Sequence, residues 1–302
     1  RPYQFCNLTE VVVRQGDDLE NLRRKVRLAT ILGTAQSTFT KMPYLRKIWQ
    51  KNTEEERLLG VSLTGIMDNY LLSKTEDSKK WLKELKAQAI DVNRIYADKL
   101  GVPASAAITC VKPSGTVSQL TDTASGIHAR HSKYYIRTVR GDNKDPLTQF
   151  MKDSGIPAEP CVMKPDSTTV FSFPTKSPSG AVTRNDMTAL QQLELWKNYA
   201  LHWCEHKPSV TITVKDAEWM AVGAWVYENF DICSGISFLP HSDHTYAQAP
   251  YQDIDEETYN DLKKQMPTSI DWTALSNYEK VDTTSGSQTL ACTAGACELV
   301  DI

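Results

Sequence analysis

From residue 104 onward, short stretches with the apolar spacing of strands alternate with longer stretches that have the spacing of helices. The 209–214 segment, in which Val210, Ile212 and Val214 are separated by threonines, is typical of a strand with one buried face. Strands are predicted at 106–111, 134–139, 168–173, 209–214 and 232–239, and helices at 186–206, 216–230 and 251–266. Because alternating strands and helices are typical of α/β proteins, this fold class is predicted.

The amino-terminal part of the chain fits the same class. A strand is predicted at 7–14, and Asp17 and Asp18 then cap a helix whose apolar residues recur at helical spacing. A second helix is predicted at about 77–100, where Gly101 ends it. After about residue 281 small residues predominate, so 281–302 is predicted to be a mobile tail.

Composition excludes two classes of partner. The 302 residues include 34 Lys and Arg against 37 Asp and Glu, a net charge of −3, which argues against binding to duplex nucleic acid. No apolar run reaches the roughly 18 residues of a membrane span. Since the chain begins at Arg1 and lacks a signal-peptide pattern, we expect it to be part of a longer polypeptide.

The seven cysteines are odd in number and scattered, which favours a reducing compartment, and we expect a cytoplasmic protein. Cys292 and Cys297 lie near the carboxyl terminus among small residues, and Gly295 would let the short loop between them bend. An accessible dithiol of this kind suits thiol–disulfide exchange. Half of a zinc site and unpaired thiols without a role remain as alternatives.

A second candidate site follows the strand at 106–111. Its sequence is Lys112-Pro113-Ser114-Gly115-Thr116-Val117-Ser118, which places hydroxyl groups and a glycine at the start of a predicted helix. The N–H groups of a helix start favour anions, so the segment is interpreted as a phosphate-binding loop. A simple Pro-Gly turn with a helix cap is the alternative.

Two histidine pairs complete the candidates. His202 and His206 are predicted to share one face of the 186–206 helix, and His241 and His244 lie in a polar loop. Neither pair has the flanking residues of a familiar metal motif, so no metal site is predicted.

Taken in order, ten segments of the chain resemble ribonucleotide reductases, and among these the monomeric, adenosylcobalamin-dependent (class II) ribonucleoside triphosphate reductases. The segments are 5–10 (FCNLTE), 60–66 (GVSLTGI), 111–118 (VKPSGTVS), 126–130 (GIHAR), 134–140 (YYIRTVR), 170–174 (VFSFP), 203–210 (WCEHKPSV), 222–227 (VGAWVY), 235–240 (GISFLP) and the Cys292/Cys297 pair. Each is short, but the ordered series covers almost the whole chain.

The resemblance implies a fold and a boundary. Residues 1–280 would form the carboxyl-terminal portion of a ten-stranded α/β barrel, and 281–302 would form a mobile redox tail. In this family the radical-forming cysteine lies in an Asn-x-Cys-x-Glu motif before the Cys-Asn-Leu stretch, and that motif is not in this chain. Activity would therefore require the amino-terminal part of the same reductase.

The resemblance also implies roles for residues. Cys6 would belong to the cysteine pair that is oxidised when a ribonucleoside triphosphate is reduced to a deoxyribonucleotide, with adenosylcobalamin as cofactor. The substrate phosphates would bind Pro113, Ser114, Gly115, Thr116, Val117 and Ser118. Cys292 and Cys297 would reduce the resulting disulfide and be reduced in turn by a thioredoxin-like partner.

Three alternatives remain open at this point. The chain resembles diiron-dependent (class I) reductases in several of the same motifs. A non-catalytic module for phosphate binding or thiol exchange would share the same segments, and a metal-binding interaction protein would use the histidine pairs and the tail cysteines.

Overall fold

The structure is a computed structural model that describes residues 1–241, 246–279, 289–293 and 296–300. Residues 242–245, which include His244, residue 280 and much of the predicted tail (281–288, 294–295 and 301–302) lie outside the described residues.

The described chain contains both helices and strands, in mixed order. The helices are α1 (Leu19–Gln36), α2 (Lys47–Glu56), α3 (Thr75–Leu100), α4 (Thr116–Leu120), α5 (Pro146–Asp153), α6 (Ala189–His202), α7 (Trp219–Glu228) and α8 (Glu256–Gln265). The strands are β1 (Asn7–Val12), β2 (Leu59–Thr64), β3 (Thr109–Cys110), β4 (Tyr134–Asp142), β5 (Ala158–Pro160), β6 (Thr168–Lys176), β7 (Val210–Val214), β8 (Ile236–Pro240), β9 (Tyr251–Asp253), β10 (Thr289–Thr293) and β11 (Ala296–Val300). The predicted α/β class is confirmed.

The chain divides into two compact units. Unit 1 comprises residues 1–130 and 178–241, and unit 2 comprises 131–177 and 242–302. Unit 1 has a parallel sheet in the order β1-β2-β3 and a parallel pair, β7-β8. Unit 2 has an antiparallel sheet in the order β5-β6-β4-β9, with β10 and β11 as a separate antiparallel pair.

The core of unit 1 lies between its parallel sheet and the long helices α1, α3 and α6. The side chains of a strand alternate between two faces. In β1, Thr9 and Val11 are buried, whereas Leu8 is 53% exposed on the other face. The core strand β2 is buried along its full length. One face of this small sheet therefore packs on helices, and part of the other face is open at β1.

Helix α6 ends four residues before the predicted boundary. The chain leaves the helix at Trp203, whose indole N–H donates to Cys110 O at 2.7 Å, and the N–H groups of Glu205 and His206 both donate to Thr109 O. Pairing with the edge of β3 thus replaces further helical turns. The prediction that His202 and His206 share a helix face is wrong, because His206 lies on this sheet-edge segment.

Other elements also differ from the sequence prediction. Residues 251–253, predicted as helical, form β9, because they pair with 135–137 of β4. The strand predicted at 106–111 is reduced to Thr109–Cys110. Helices α2 and α5 have no counterpart in the sequence prediction, because their apolar patterns are short.

The ten-stranded barrel is not observed as such, since the described strands form separate small sheets. One interruption of the strand pairing lies beyond β3. Ser209 N–H donates to Val111 O, but the preceding Pro208 has no N–H to give. The segment that follows β3 in space is therefore irregular, and the next regular strand, β7, begins only at Val210.

Unit 2 packs helices and aromatic rings against its antiparallel sheet. Buried Val170 and Phe171 of β6 contribute to its interior. Phe150 of α5 contacts the rings of Trp272 and Tyr278, with centroids 5.4 Å away in both cases. Aromatic pairs at this separation add to the stability that burial provides.

A buried ion pair fixes the 122–130 segment of unit 1. Arg130 and Asp68 are each 3% exposed, and the guanidinium binds both carboxylate oxygens at 2.9 Å. The same guanidinium binds the side-chain and main-chain oxygens of Asp122, and Asp68 also accepts from Ala124 N–H. Each charge is thus paired and hydrogen-bonded, which buried ions require.

A buried histidine joins the same segment to β7. His128 Nε2 accepts from Thr211 N–H at 3.0 Å, and its Nδ1 lies 3.0 Å from Ser125 O, to which it donates in the neutral tautomer. Burial lowers the pKa of His128, and the hydrogen bond to Ser125 opposes this only in part. The neutral ring is therefore the form that the fold accommodates.

We expect Arg130→Met to destabilise the protein by about 3–5 kcal/mol, because it leaves the buried Asp68 carboxylate without its partner. Urea unfolding measures the change. The control is Lys264→Met, whose ion pair with Asp261 is exposed and should cost less than about 1 kcal/mol. Equal losses for the two variants would contradict the structural role of Arg130.

We expect His128 to make the fold sensitive to acid. The pKa of His128 in the folded protein lies below the ordinary value of about 6.5. The stability that the neutral His128 contributes is therefore fully present above about pH 6.5 and is lost as the pH falls through the folded pKa. His128→Gln can keep both hydrogen bonds but does not titrate. The free energy of unfolding of this variant should therefore fall less than that of the wild type between pH 7.5 and 5. If wild type and variant lose the same free energy over this range, His128 is not the source of the acid sensitivity.

Candidate active site

The first sequence-predicted residue, Cys6, lies just before β1 and is half-buried. Its sulfur and the Leu8 side chain both approach Gly60 of the neighbouring strand, so Cys6 shares the open face of the sheet. Glu10, two residues after Leu8, lies on the same face because strand side chains alternate. This face therefore presents a thiol and a carboxyl group along a single strand.

Gly60 makes the convergence of two sulfurs on this face possible. A Cβ at this position would lie 3.0 Å from Cys6 Sγ and 3.3 Å from Cys110 Sγ, closer than side chains normally pack. Cys110, in β3, is fully buried. The missing side chain in the central strand thus lets the Cys110 thiol of β3 and the Cys6 thiol, just before β1, approach the same point.

A histidine from the segment beside β3 joins these sulfurs. His206 Nε2 lies 3.9 Å from Cys6 Sγ, within hydrogen-bond distance for sulfur. Its main-chain N–H is fixed to Thr109 O at 3.0 Å. The residues in contact here come from sequence positions 200 apart.

The thiols are held in their protonated form. Burial raises the pKa of Cys6, and the positive charge of Lys112 partly opposes this effect. Burial, with a smaller contribution from Cys6, raises the pKa of Cys110 to about 12. Cys204 is also buried and its pKa is raised for the same reason. At neutral pH these groups are hydrogen donors rather than thiolates.

The predicted phosphate loop begins where β3 ends. Lys112 N–H donates to Ser62 Oγ of β2 at 2.9 Å. Ser114 exchanges two hydrogen bonds with the Ser125 hydroxyl, through its N–H at 3.2 Å and its carbonyl at 2.8 Å. Gly126 approaches the loop so closely that a Cβ there would lie 2.8 Å from Lys112 O. The loop is therefore held by the 122–130 segment.

Ser114 offers a buried hydroxyl at this loop. It is 4% exposed, and its Oγ makes no hydrogen bond of good geometry within the described part of the chain. The Glu10 carboxyl approaches the hydroxyl closely enough to lower its own pKa, although burial has the larger effect and raises it. Glu10 therefore joins the loop to the open face that carries Cys6.

The other loop residues differ in what they offer. Pro113, Gly115, Thr116 and Val117 are exposed, and the last three stand at the start of α4. Ser118 is buried, and its hydroxyl donates to the carbonyls of Ser114 and Gly115. Its hydroxyl therefore holds the loop together.

The tail cysteines lie in unit 2 on strands that pair with each other. Cys292 of β10 and Cys297 of β11 are direct antiparallel partners. Directly opposed residues have Cα atoms about 4.5–5.5 Å apart, which is within the range for a disulfide. The mobility of the tail stays a prediction.

Four residues of the site were missed by sequence reasoning as functional residues: Glu10, Gly60, Cys110 and His206. Glu10 could have been found from the sequence, because side chains alternate along β1 and Glu10 therefore shares a face with Leu8 and Cys6. The others are brought to Cys6 by strand pairing, for which a single sequence holds no direct signal.

Two further findings concern the described residues only. They contain no group of three or more His, Cys, Asp or Glu side chains arranged to bind a metal ion. None of the described helices has the length and apolar composition that a membrane-spanning helix requires.

Comparisons with known proteins give a consistent result, although no family model matches the chain. It is similar to a probable adenosylcobalamin-dependent ribonucleoside-triphosphate reductase of Dictyostelium discoideum, with 28% identity over 91% of this chain and 36% of the relative. The corresponding enzyme of Euglena gracilis is 28% identical over 88% of this chain and 36% of the relative. That of Lactobacillus leichmannii is 25% identical over 97% of this chain and 43% of the relative.

A solved structure shows the same fold. The crystal structure of a B12-dependent (class II) ribonucleotide reductase matches with a TM-score of 0.78 and 24% identity, over 92% of this chain and 42% of that chain. The chain thus spans between 36% and 43% of the length of these relatives. In sequence and in fold, its resemblance to the adenosylcobalamin-dependent, class II ribonucleotide reductases is confirmed.

Proposed function

We propose that this chain is part of the catalytic subunit of an adenosylcobalamin-dependent ribonucleotide reductase that converts ribonucleoside triphosphates to deoxyribonucleotides. The amino-terminal part of the same protein would supply the radical cysteine and the remaining strands of the ten-stranded barrel. The names of the relatives favour this class over the diiron alternative.

One observation carries the proposal: the Cys6 thiol and the Ser114 loop adjoin the same open sheet face. Lys112, at the start of the loop, acts electrostatically on Cys6, and Glu10 reaches Ser114. A nucleotide held by its phosphates in the loop would place its sugar over the thiol. Such positioning is a major source of catalysis when two groups must react.

The loop would bind the triphosphate through three kinds of group. The buried Ser114 hydroxyl has unused hydrogen-bonding capacity, and the main-chain N–H groups of Gly115, Thr116 and Val117 stand in a first helical turn, where they have no intrahelical partners. Lys112 adds positive charge nearby. Pro113 would fix the turn, and Ser118 would hold the loop in the required conformation.

The reduction requires two electrons from a pair of thiols. The 2′ hydroxyl of the sugar leaves as water, a hydrogen takes its place, and Cys6 forms a disulfide with a partner cysteine, which the family resemblance places in the amino-terminal part of the protein, outside this chain. Adenosylcobalamin would supply the radical that starts the reaction at the initiating cysteine. No described residue is assigned to its binding. The raised pKa of Cys6 suits this role, because a protonated thiol is the form that donates hydrogen.

The disulfide must be reduced before the next turnover. We propose that Cys292 and Cys297 do this by thiol–disulfide exchange and are then reduced by a thioredoxin-like protein. Their opposed positions on β10 and β11 support this role, because strand pairing brings the two backbone positions within the separation that a disulfide spans.

In the full-length protein, we expect Cys6→Ser to lower deoxyribonucleotide formation with adenosylcobalamin by about a thousandfold or more, because the reducing pair is lost. The matched control is Cys233→Ser, a half-buried cysteine outside the site, which should keep most of the activity. Turnover without the cofactor, or an active Cys6→Ser variant, would contradict the proposed function.

We expect Cys292→Ser to abolish multiple turnover with a thioredoxin-like reductant but to keep activity with a small dithiol, which reaches the internal disulfide directly. Steady-state assays with the two reductants measure the difference. Thr289→Ser, a change in the same strand without loss of sulfur, should leave both activities intact. Equal loss with both reductants in Cys292→Ser would exclude the exchange role.

A further inference from the structure

The contact between Cys6 and His206 has no role in the function described so far. His206 Nε2 and Cys6 Sγ lie 3.9 Å apart, so the imidazole and the thiol can share a proton. His206 is half-buried, which leaves its ring able to exchange protons with solvent. Cys6 is in a more enclosed position, since it shares with Cys110 the space above Gly60.

The backbone holds His206 in this position. The N–H groups of Glu205 and His206 donate to Thr109 O at 2.9 and 3.0 Å, and the Glu205 carboxylate accepts from Ile108 N–H at 2.9 Å. These bonds fix the segment to the β3 edge of the sheet, whereas Cys6 precedes β1 at the other edge. The contact therefore spans the sheet, over the strand that carries Gly60.

A sulfur that cycles between thiol and disulfide must lose and regain a proton. Burial opposes the thiolate form of Cys6, so the exchange requires an acid–base group in contact with it. The titratable and charged groups around the pair are Glu10, Cys110, Lys112, Cys204, Glu205 and Lys207. Cys110 has a pKa of about 12, so it keeps its proton at neutral pH.

Histidine is the side chain that most often serves as a general acid or base in proteins. The Glu205 carboxylate accepts a hydrogen bond from Ile108 N–H, and the Glu10 carboxyl approaches the Ser114 hydroxyl. His206 is thus the group whose chemistry and position both suit proton exchange with Cys6.

We propose that His206 is the proton-transfer residue for Cys6 in each redox cycle, an inference that rests on the redox role proposed for Cys6. When the disulfide is reduced, an incoming thiolate attacks the partner sulfur and forms a new S–S bond with it. The old S–S bond breaks, Cys6 leaves with the electron pair, and it takes the proton of the His206 imidazolium. When the Cys6 thiol reacts as a nucleophile, the neutral imidazole accepts its proton.

The test measures the reactivity of Cys6 in this chain between pH 5 and 9. Iodoacetamide is the probe, and mass spectrometry quantifies the alkylated Cys6 peptide. In the wild type, His206 should assist loss of the Cys6 proton and thereby raise the alkylation rate. In His206→Gln this assistance should disappear, and the rate at pH 7 should fall by about tenfold or more.

Control variants separate proton transfer from packing. His206→Gln retains the main-chain bonds to Thr109, and its unfolding should resemble that of the wild type. His202→Gln removes a nearby histidine, at the end of α6, and should leave the Cys6 profile unchanged. A folded His206→Gln protein with the wild-type alkylation profile would overturn the proposal. So would a slower alkylation of Cys6 in His206→Ala but not in His206→Gln, because that pattern would indicate a packing role.

The assay needs neither nucleotide nor cofactor, so its outcome is independent of the proposed function. An active Cys6→Ser reductase would refute the proposed function and leave the alkylation result intact. In the full-length enzyme, His206→Gln should slow steady-state turnover and leave the first turnover of the reduced enzyme largely unchanged. An equal loss in both would contradict a role in re-reduction.

Discussion

The buried ion pair between Arg130 and Asp68 is the interaction on which the geometry of unit 1 depends. It fixes the 122–130 segment next to the end of β2, and the segment in turn holds the Ser114 loop through Ser125 and reaches β7 through His128. Buried charges tolerate few arrangements, because each must keep its partner and its hydrogen bonds. The position of the candidate phosphate loop is therefore set by groups that need not touch a ligand.

The candidate site is assembled across a sheet rather than along a loop. Parallel pairing brings together the chain before β1, the start of β2 and the end of β3, and the segment after α6 adds His206. Sites supported by strands are held more precisely than sites on loops alone. This suits the proposed reaction, in which thiols must meet a sugar while its phosphates are held several bonds away.

Local patterns in the sequence predicted the α/β class, the helices α1 and α3 and the strands β4, β6 and β7, because their apolar residues recur at clear intervals. The motifs also drew attention to Cys6 and to Ser114. The end of α6 was missed, since edge pairing with Thr109 outweighed helical propensity. Gly60, Cys110 and His206 join the site through contacts between distant segments, which local periodicity does not encode.

Gly60 shows how reactivity and robustness compete in this protein. Glycine in a strand interior lowers stability, since it contributes no packing and loses more conformational freedom on folding. A larger residue would strengthen an ordinary central strand, but here it would collide with Leu8 and the sulfurs. Engineering this chain for heat resistance must therefore spare Gly60, because the space beside its Cα is already filled by Leu8 and by the sulfurs of Cys6 and Cys110.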